Sequence, residues 1–223
     1  MIEFLEWDSI FFKKKIGKLD LDKSSISFPS EIHFKEYDLV YVFSDNKLEK
    51  NLNLVDIKIN YRKTTSTKDT FTNVLKFNSL VHSYDKLLDL VFESGQDSRF
   101  LKDEFFSIND YRRLYKKWID KSLTESQAEV LIYTEDNVLM GFISFKRNRT
   151  HYTIELIAVD SKARGKGIGK KLLNMTENII GANKQLTVAT QETNKSACLF
   201  YQNYGFNVLN RKYIYHYAPN TIQ

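Results

Sequence analysis

Apolar and polar positions follow two rhythms along this chain. Residues 39–43, Leu-Val-Tyr-Val-Phe, form an unbroken apolar run, which predicts a strand buried on both faces. Val55, Ile57, Ile59 and Tyr61 alternate with Asp56, Lys58, Asn60 and Arg62, the period of a half-buried strand. Residues 71–77 predict a third strand, and residues 28–36 and 45–50 two short helices. From Ser83 the period lengthens. Leu87, Leu88, Val91 and Phe92 share one side of a helix that Gly95 stops, and Tyr111, Leu114, Tyr115 and Trp118 recur at helical spacing behind a cap at Ser107 or Asn109. Strands follow at 129–134, 138–146 and 152–160, with Glu135-Asp136-Asn137 as a hairpin turn. A helix at 167–180, a strand at 185–190, a helix at 194–203 and a final strand or pair at 206–217 complete the pattern. The predicted class is mixed α/β: a small α/β domain over residues 1–78, then a larger α/β domain over 79–223.

Composition adds exclusions. With 223 residues, 42% hydrophobic and 14% aromatic, the chain can bury a sizeable core, and 8 Gly with 2 Pro do not suit a disordered one. A net charge of +5 from 33 basic and 28 acidic residues is too mild and too mixed for a nucleic-acid surface. The single cysteine, Cys198, excludes an internal disulfide and points to a reducing compartment. His33, His82, His151 and His216 show no ligand spacing, so no metal is expected. No apolar stretch approaches the ~18 residues of a membrane span, and the acidic start does not read as a signal peptide. These features predict a soluble, cytoplasmic protein with no nucleic-acid or membrane partner.

The segment Val159-Asp160-Ser161-Lys162-Ala163-Arg164-Gly165-Lys166-Gly167-Ile168-Gly169 joins a predicted strand to a predicted helix. Its glycines remove the Cβ atoms that would hold an anion away from backbone amides, and the helix start adds orphan N–H groups and a positive dipole end. Lys166, Lys170 and Lys171 add charge. The spacing fits neither the Rossmann nor the Walker pattern. It does fit Arg164-x-x-Gly167-x-Gly169 after Leu156-Ile157-Ala158-Val159, followed by Asn194-x-x-Ala197-x-x-Phe200-Tyr201-x-x-x-Gly205-Phe206.

In these two segments the chain resembles the GNAT family of acetyl-CoA-dependent N-acetyltransferases, over roughly residues 80–223. The resemblance implies the GNAT fold, a central, mostly antiparallel splayed sheet flanked by helices, with acetyl-CoA as co-substrate. It implies that Arg164, Gly165, Lys166, Gly167, Ile168, Gly169 and Lys170 hold the pyrophosphate. Ile157, Ala158 and Val159 would run beside the pantetheine arm, with the Ile157 amide the better donor to the thioester carbonyl, and Asn194 would also contact the cofactor. Tyr201 matches a tyrosine that stands near the cofactor sulfur. An ordinary phenol, pKa ~10, is protonated at neutral pH and can donate to a departing thiolate. Glu155, within the strand and opposite Ile154 and Leu156, is a candidate base, a solvated or ion-paired strand residue being the alternative. Cys198 reads as a small buried residue, and the resemblance implies direct transfer rather than an acyl-cysteine.

Leu5-Glu6-Trp7-Asp8-Ser9-x-Phe11-Phe12, Asp97-Ser98-Arg99-Phe100-x-x-Asp103 and Ala189-Thr190-Gln191-x-x-Asn194 are similar to the bacterial dTDP-fucosamine acetyltransferases, although the Gly usual after the Phe-Phe pair is Lys13 here. That resemblance implies a dTDP-linked 4-amino-4,6-dideoxy sugar as acceptor, a role in surface polysaccharide synthesis, and a dimer. Trp7, Phe11, Phe12, Phe100 and Tyr111 would offer stacking surfaces, Arg99 a forked phosphate contact, and Asp8, Asp103 and Gln191 polar contacts. Each is equally a packing or surface residue by pattern alone. The alternatives are another small amine (an aminoglycoside, polyamine or amino acid) or a non-catalytic acyl-CoA-binding module.

Overall fold

A computed structural model describes residues 1–21, 34–48 and 52–218. The chain forms two compact units: Met1–Ile59 with Gln191–Thr193 and Asn210–Gln223, and Asn60–Thr190 with Asn194–Leu209. The boundary expected after residue 78 thus differs from the observed crossings. The chain first changes unit inside the long strand Asn53–Thr64, re-enters the first unit briefly at Gln191–Thr193, and returns to it finally inside its last strand, Asn207–Tyr217.

The first unit contains β1 (Glu3–Phe4), α1 (Glu6–Phe12), β2 (Ile16–Leu21), β3 (Leu39–Ser44), the start of β4 (Asn53–Thr64) and the end of β10 (Asn207–Tyr217). β2 runs parallel to β3, and β1 and β10 run antiparallel to β2 and β3 respectively. The apolar run behaves as expected: Leu39, Val40 and Val42 are 0% exposed. Val40 and Val42 pack with Leu19, Leu21, Phe34 and Tyr215, whose hydroxyl accepts the Leu48 amide at 2.8 Å. α1 lies outside the sequence expectations. At seven residues with no side-chain N-cap it carries little local signal, and it ends on Lys13 in the left-handed region (φ 55°), the conformation glycine adopts most freely. Of the helix expected over 28–36, residues 28–33 lie outside the described residues and 34–36 form a turn. Residues 45–46 make a bend and 47–48 are irregular rather than helical, and 49–50 lie outside the described residues.

In the second unit, β5 (Val74–Lys76), β6 (Ala128–Glu135), β7 (Val138–Arg147) and β8 (Tyr152–Val159) pair antiparallel in sequence, and β9 (Gln185–Gln191) joins β8 in parallel. The hairpin turn expected over Glu135-Asp136-Asn137 consists of Asp136 and Asn137, both at positive φ, with Glu135 the last residue of β6. α2 (Tyr84–Ser94) buries Leu87, Leu90 and Val91. The short α3 (Arg99–Lys102) precedes α4 (Ile108–Thr124), which starts in a capping box of Ser107 and Asp110 and buries Tyr111, Leu114, Tyr115 and Ile119. α5 (Ile168–Ile180) and α6 (Lys195–Tyr204) follow. Glu177 of α5, 0% exposed, pairs with Lys63 at 2.9 Å and accepts the Ser66 amide at 2.7 Å, tying the end of β4 to this helix. Among the described residues no helix is long and apolar enough to cross a membrane.

Candidate active site

β8 gives way to the glycine loop through Asp160. One of its carboxylate oxygens accepts the Lys162 amide at 3.0 Å and caps a single 3-10 turn, Ser161–Ala163. The other accepts Lys86 of α2 at 2.9 Å, and that hydrogen bond is the main reason the Asp160 carboxyl titrates below its usual range. Gly165 (φ 79°) and Gly167 (φ 76°) then turn the backbone through the left-handed region, and α5 begins. No side chain caps this start, and the first intrahelical bond is Lys171 N–H to the Gly167 carbonyl. The amides ahead of it lack intrahelical partners and form the positive end of the helix dipole. A Cβ on Gly165 or Gly167 would meet nothing within 4 Å, so open space lies beside both. Lys166 and Lys170 are exposed nearby in sequence. This donor set suits a pyrophosphate.

The strand leading into the loop has an open edge. β8 pairs with β9 only at Tyr152–Leu186 and Thr153–Thr187. Towards β7, the Asp160 amide bonds to the Met140 carbonyl and the Leu156 amide to the Ser144 hydroxyl. Backbone groups alternate in direction along a strand, so the Ile157 and Val159 amides point the other way, beyond the point where β9 has parted from β8. The Ala158 amide points towards β7. An amide-bearing chain could add to this edge as a further strand.

Glu155 stands at an irregularity. Ser144 pairs with Leu156 and Phe145 with Ile154, so Glu155 is the extra residue of a β-bulge in the pairing, while the expected alternation holds in burial: Ile154 and Leu156 are buried and Glu155 between them is half-buried. Its carboxylate is engaged, by an ion pair with Lys146 and a 2.9 Å hydrogen bond from the buried Ser122 of α4.

The structure gives several motif residues specific contacts. Arg164 donates from Nε to the Val159 carbonyl at 3.2 Å and from its terminal nitrogen to Glu93 of α2 at 2.7 Å. Glu93 and Lys86 lie seven residues apart on α2, outside both sequence motifs. Asn194 caps α6 by accepting the Ala197 amide at 3.0 Å. Gly169 meets a side chain rather than open space: its Cβ would sit 3.0 Å from Cζ of Phe200. Gly169→Ala should therefore crowd the ring and cost about 1 kcal/mol, a fall of ~2–4 °C in Tm. An unchanged or higher Tm by calorimetry would show that the ring has room to move.

Tyr201 follows Phe200 on α6. It is 3% exposed, with the rings of Phe200, Phe206 and Tyr61 at 5.4, 5.7 and 5.8 Å. Burial, then Cys198 and Tyr61, raise its pKa well above the usual phenol range, so it stays protonated at working pH. Cys198 is half-buried, more open than expected.

The predicted acceptor residues divide between the units. Trp7, Asp8 and Phe11 of α1 and Gln191 of β9 belong to the first, Arg99 to the second. Trp7 is 48% exposed and stacks on Phe11 at 4.9 Å and 12°, whereas Phe12 is core at 5%. Phe100 and Tyr111 are also core, at 6% and 3%, Phe100 lying against Phe106 and Trp118, so neither is an open stacking surface. Asp103 caps the turn after α3, accepting the Phe105 amide at 2.8 Å. Arg99 lies 4.4 Å from the Phe100 ring centroid.

A cradle for pyrophosphate beside a strand edge open to an amide-bearing arm is what an acetyl-CoA-dependent N-acyltransferase domain needs. Residues 87–206 carry the sequence pattern of the Acetyltransferase (GNAT) family, and the chain belongs to that family, whose co-substrate is acetyl-CoA. The spore coat polysaccharide biosynthesis protein SpsD of Bacillus subtilis (strain 168) is 23% identical over 137 residues, 60% of this chain and 47% of that protein. The chain thus matches about half the length of this curated relative. Among solved structures, a functionally unknown conserved protein from Staphylococcus epidermidis ATCC 12228 has a TM-score of 0.63 at 12% identity, with 91% of this chain and 83% of that one covered. A GNAT-family protein from Novosphingobium aromaticivorans DSM 12444 has a TM-score of 0.51 at 10% identity, covering 80% of this chain and 73% of its own. These two likenesses concern the fold.

Proposed function

We propose that this protein transfers the acetyl group of acetyl-CoA to the amine of a dTDP-linked 4-amino-4,6-dideoxyhexose, by direct attack in a ternary complex. The observation that carries acetyl transfer is the pairing of two features: left-handed Gly165 and Gly167 with open space beside them, and the Ile157 and Val159 amides on an unpaired strand edge. When bound, acetyl-CoA supplies the acetyl group as a thioester. The amides from Gly165 to Lys170 would hold its pyrophosphate, helped by Lys166 and Lys170. The Ile157 N–H would face the carbonyl oxygen where negative charge develops. Tyr201 keeps its proton on Oη, ready for a departing thiolate. Glu155, committed to Lys146 and Ser122, serves this reading as a fixed strand residue, and the acceptor amine enters as its free base.

The acceptor class rests on the N-terminal resemblance and on the stacked, half-exposed Trp7–Phe11 pair beside Asp8, a surface suited to a nucleobase. The polysaccharide role named for the Bacillus relative points the same way. Arg99 would hold a phosphate and Gln191 a polar group of the sugar nucleotide. The nucleotide then supplies most of the binding energy, so dTDP-4-amino-4,6-dideoxyhexoses should be acetylated with far higher kcat/KM than the free amino sugars. Arg99→Ala should raise KM for the nucleotide sugar and leave acetyl-CoA affinity unchanged. Equal kcat/KM for the free sugar, or preference for a polyamine, would refute the nucleotide-sugar assignment. No turnover with any amine would favour an acyl-CoA-binding module.

A further inference from the structure

Two ion pairs join one face of α2 to the two ends of the 3-10 turn that opens the phosphate loop. Lys86 reaches Asp160 at 2.9 Å before the turn, and Glu93 reaches Arg164 at 2.7 Å after it. Lys86 and Glu93 are seven residues apart, two helical turns along the same face. Asp160 is held ionised by its Lys86 hydrogen bond, and Lys86 is correspondingly held protonated. The Arg164 guanidinium is committed in two directions, to Glu93 and, through Nε, to the last carbonyl of β8, Val159. A guanidinium is a rigid planar fork, so two such bonds fix its plane.

We propose that α2 is a clamp on the phosphate loop, and that Glu93 is a positioning residue which keeps Arg164 on Val159 instead of on the pyrophosphate. This rests on the reading of the loop as the acetyl-CoA site. Arg164 then contributes by tethering the end of β8, and so the Ile157–Val159 edge, to a helix. The loop amides are thereby set before the cofactor arrives, which lowers the ordering cost of binding. The Arg164 side chain is 59% exposed and that of Glu93 18%, so each partner's loss should produce a modest effect with a definite sign.

The test uses the full 15N-labelled chain. By calorimetry, Glu93→Gln should weaken acetyl-CoA binding by about two- to fivefold, Arg164→Ala should do the same, and the double variant should be no worse than either. In the wild type the Arg164 Nε–Hε resonance should keep its shift when coenzyme A is added, because the guanidinium stays with Glu93. If Arg164 serves the phosphate directly, the signs reverse: Glu93→Gln frees the guanidinium and tightens binding, and the resonance moves on addition of coenzyme A. Unchanged affinity in Glu93→Gln, or additive losses in the double variant, would equally overturn the clamp. Failure of the wild-type chain to bind acetyl-CoA would sink the functional reading, and the free-protein spectra would still decide the clamp. There, Glu93→Gln should displace the Gly165 and Gly167 amide resonances, and spectra unchanged at those two glycines would overturn it.

Discussion

Tyr201→Phe should lower kcat by roughly tenfold to several hundredfold while leaving acetyl-CoA affinity within about twofold. The substitution keeps the ring and its contacts with Tyr61, Phe200 and Phe206, so the fold should be preserved. What it removes is the proton proposed for the departing sulfur. A thiol of pKa ~8–9 is already a fair leaving group, which sets the effect at the low end of general-acid catalysis. The sign of the Tyr201 shift adds a second expectation. A phenol pushed upward by burial stays protonated as pH rises, so wild-type kcat/KM should climb through the pKa of the acceptor amine. No loss of the acid should appear below about pH 10. Full kcat in Tyr201→Phe would make the residue a packing aromatic.

Gly167→Leu should weaken acetyl-CoA binding by well over tenfold, because a side chain there projects into the open space beside the loop amides. The same substitution also strains a left-handed backbone, by ~1–2 kcal/mol. Gly181 supplies the control. It closes the other end of α5 with φ 84° and equally open surroundings, far along the helix from the loop. Gly181→Leu should lower Tm at least as much, because φ 84° with ψ 165° is a region essentially confined to glycine, and leave acetyl-CoA affinity unchanged. Equal affinity losses in the two variants would show that strain in α5, rather than obstruction of an anion, explains the result.

What was legible in the sequence was local. Three strands with tight turns, a glycine loop and the two helices after it are each defined by short-range periodicity and turn chemistry. Their bounds agree with the structure to within a residue or two, as at α5 and its Gly167 cap. The unread features depend on pairs distant in sequence. Glu93 finds Arg164 across 71 positions, and nothing in the spacing of either announces the other. The bulge at Glu155 arises from the register between two strands whose separate patterns look regular. Three strands, β4, β9 and β10, pass from one unit to the other, a division that no composition change marks. Trp7 and Phe12 were indistinguishable as aromatics in the sequence; a seven-residue helix put one outside and the other in the core.

The contact between Gly169 and Phe200 makes the first turn of α5 and the helix carrying Tyr201 share one pocket of volume. Side-chain size at these two positions is therefore a single quantity divided between them. A homologue with alanine at 169 should carry a smaller or differently turned residue at 200. A redesign that adds bulk at one position must remove it at the other, or the phenol one residue along will be carried out of place.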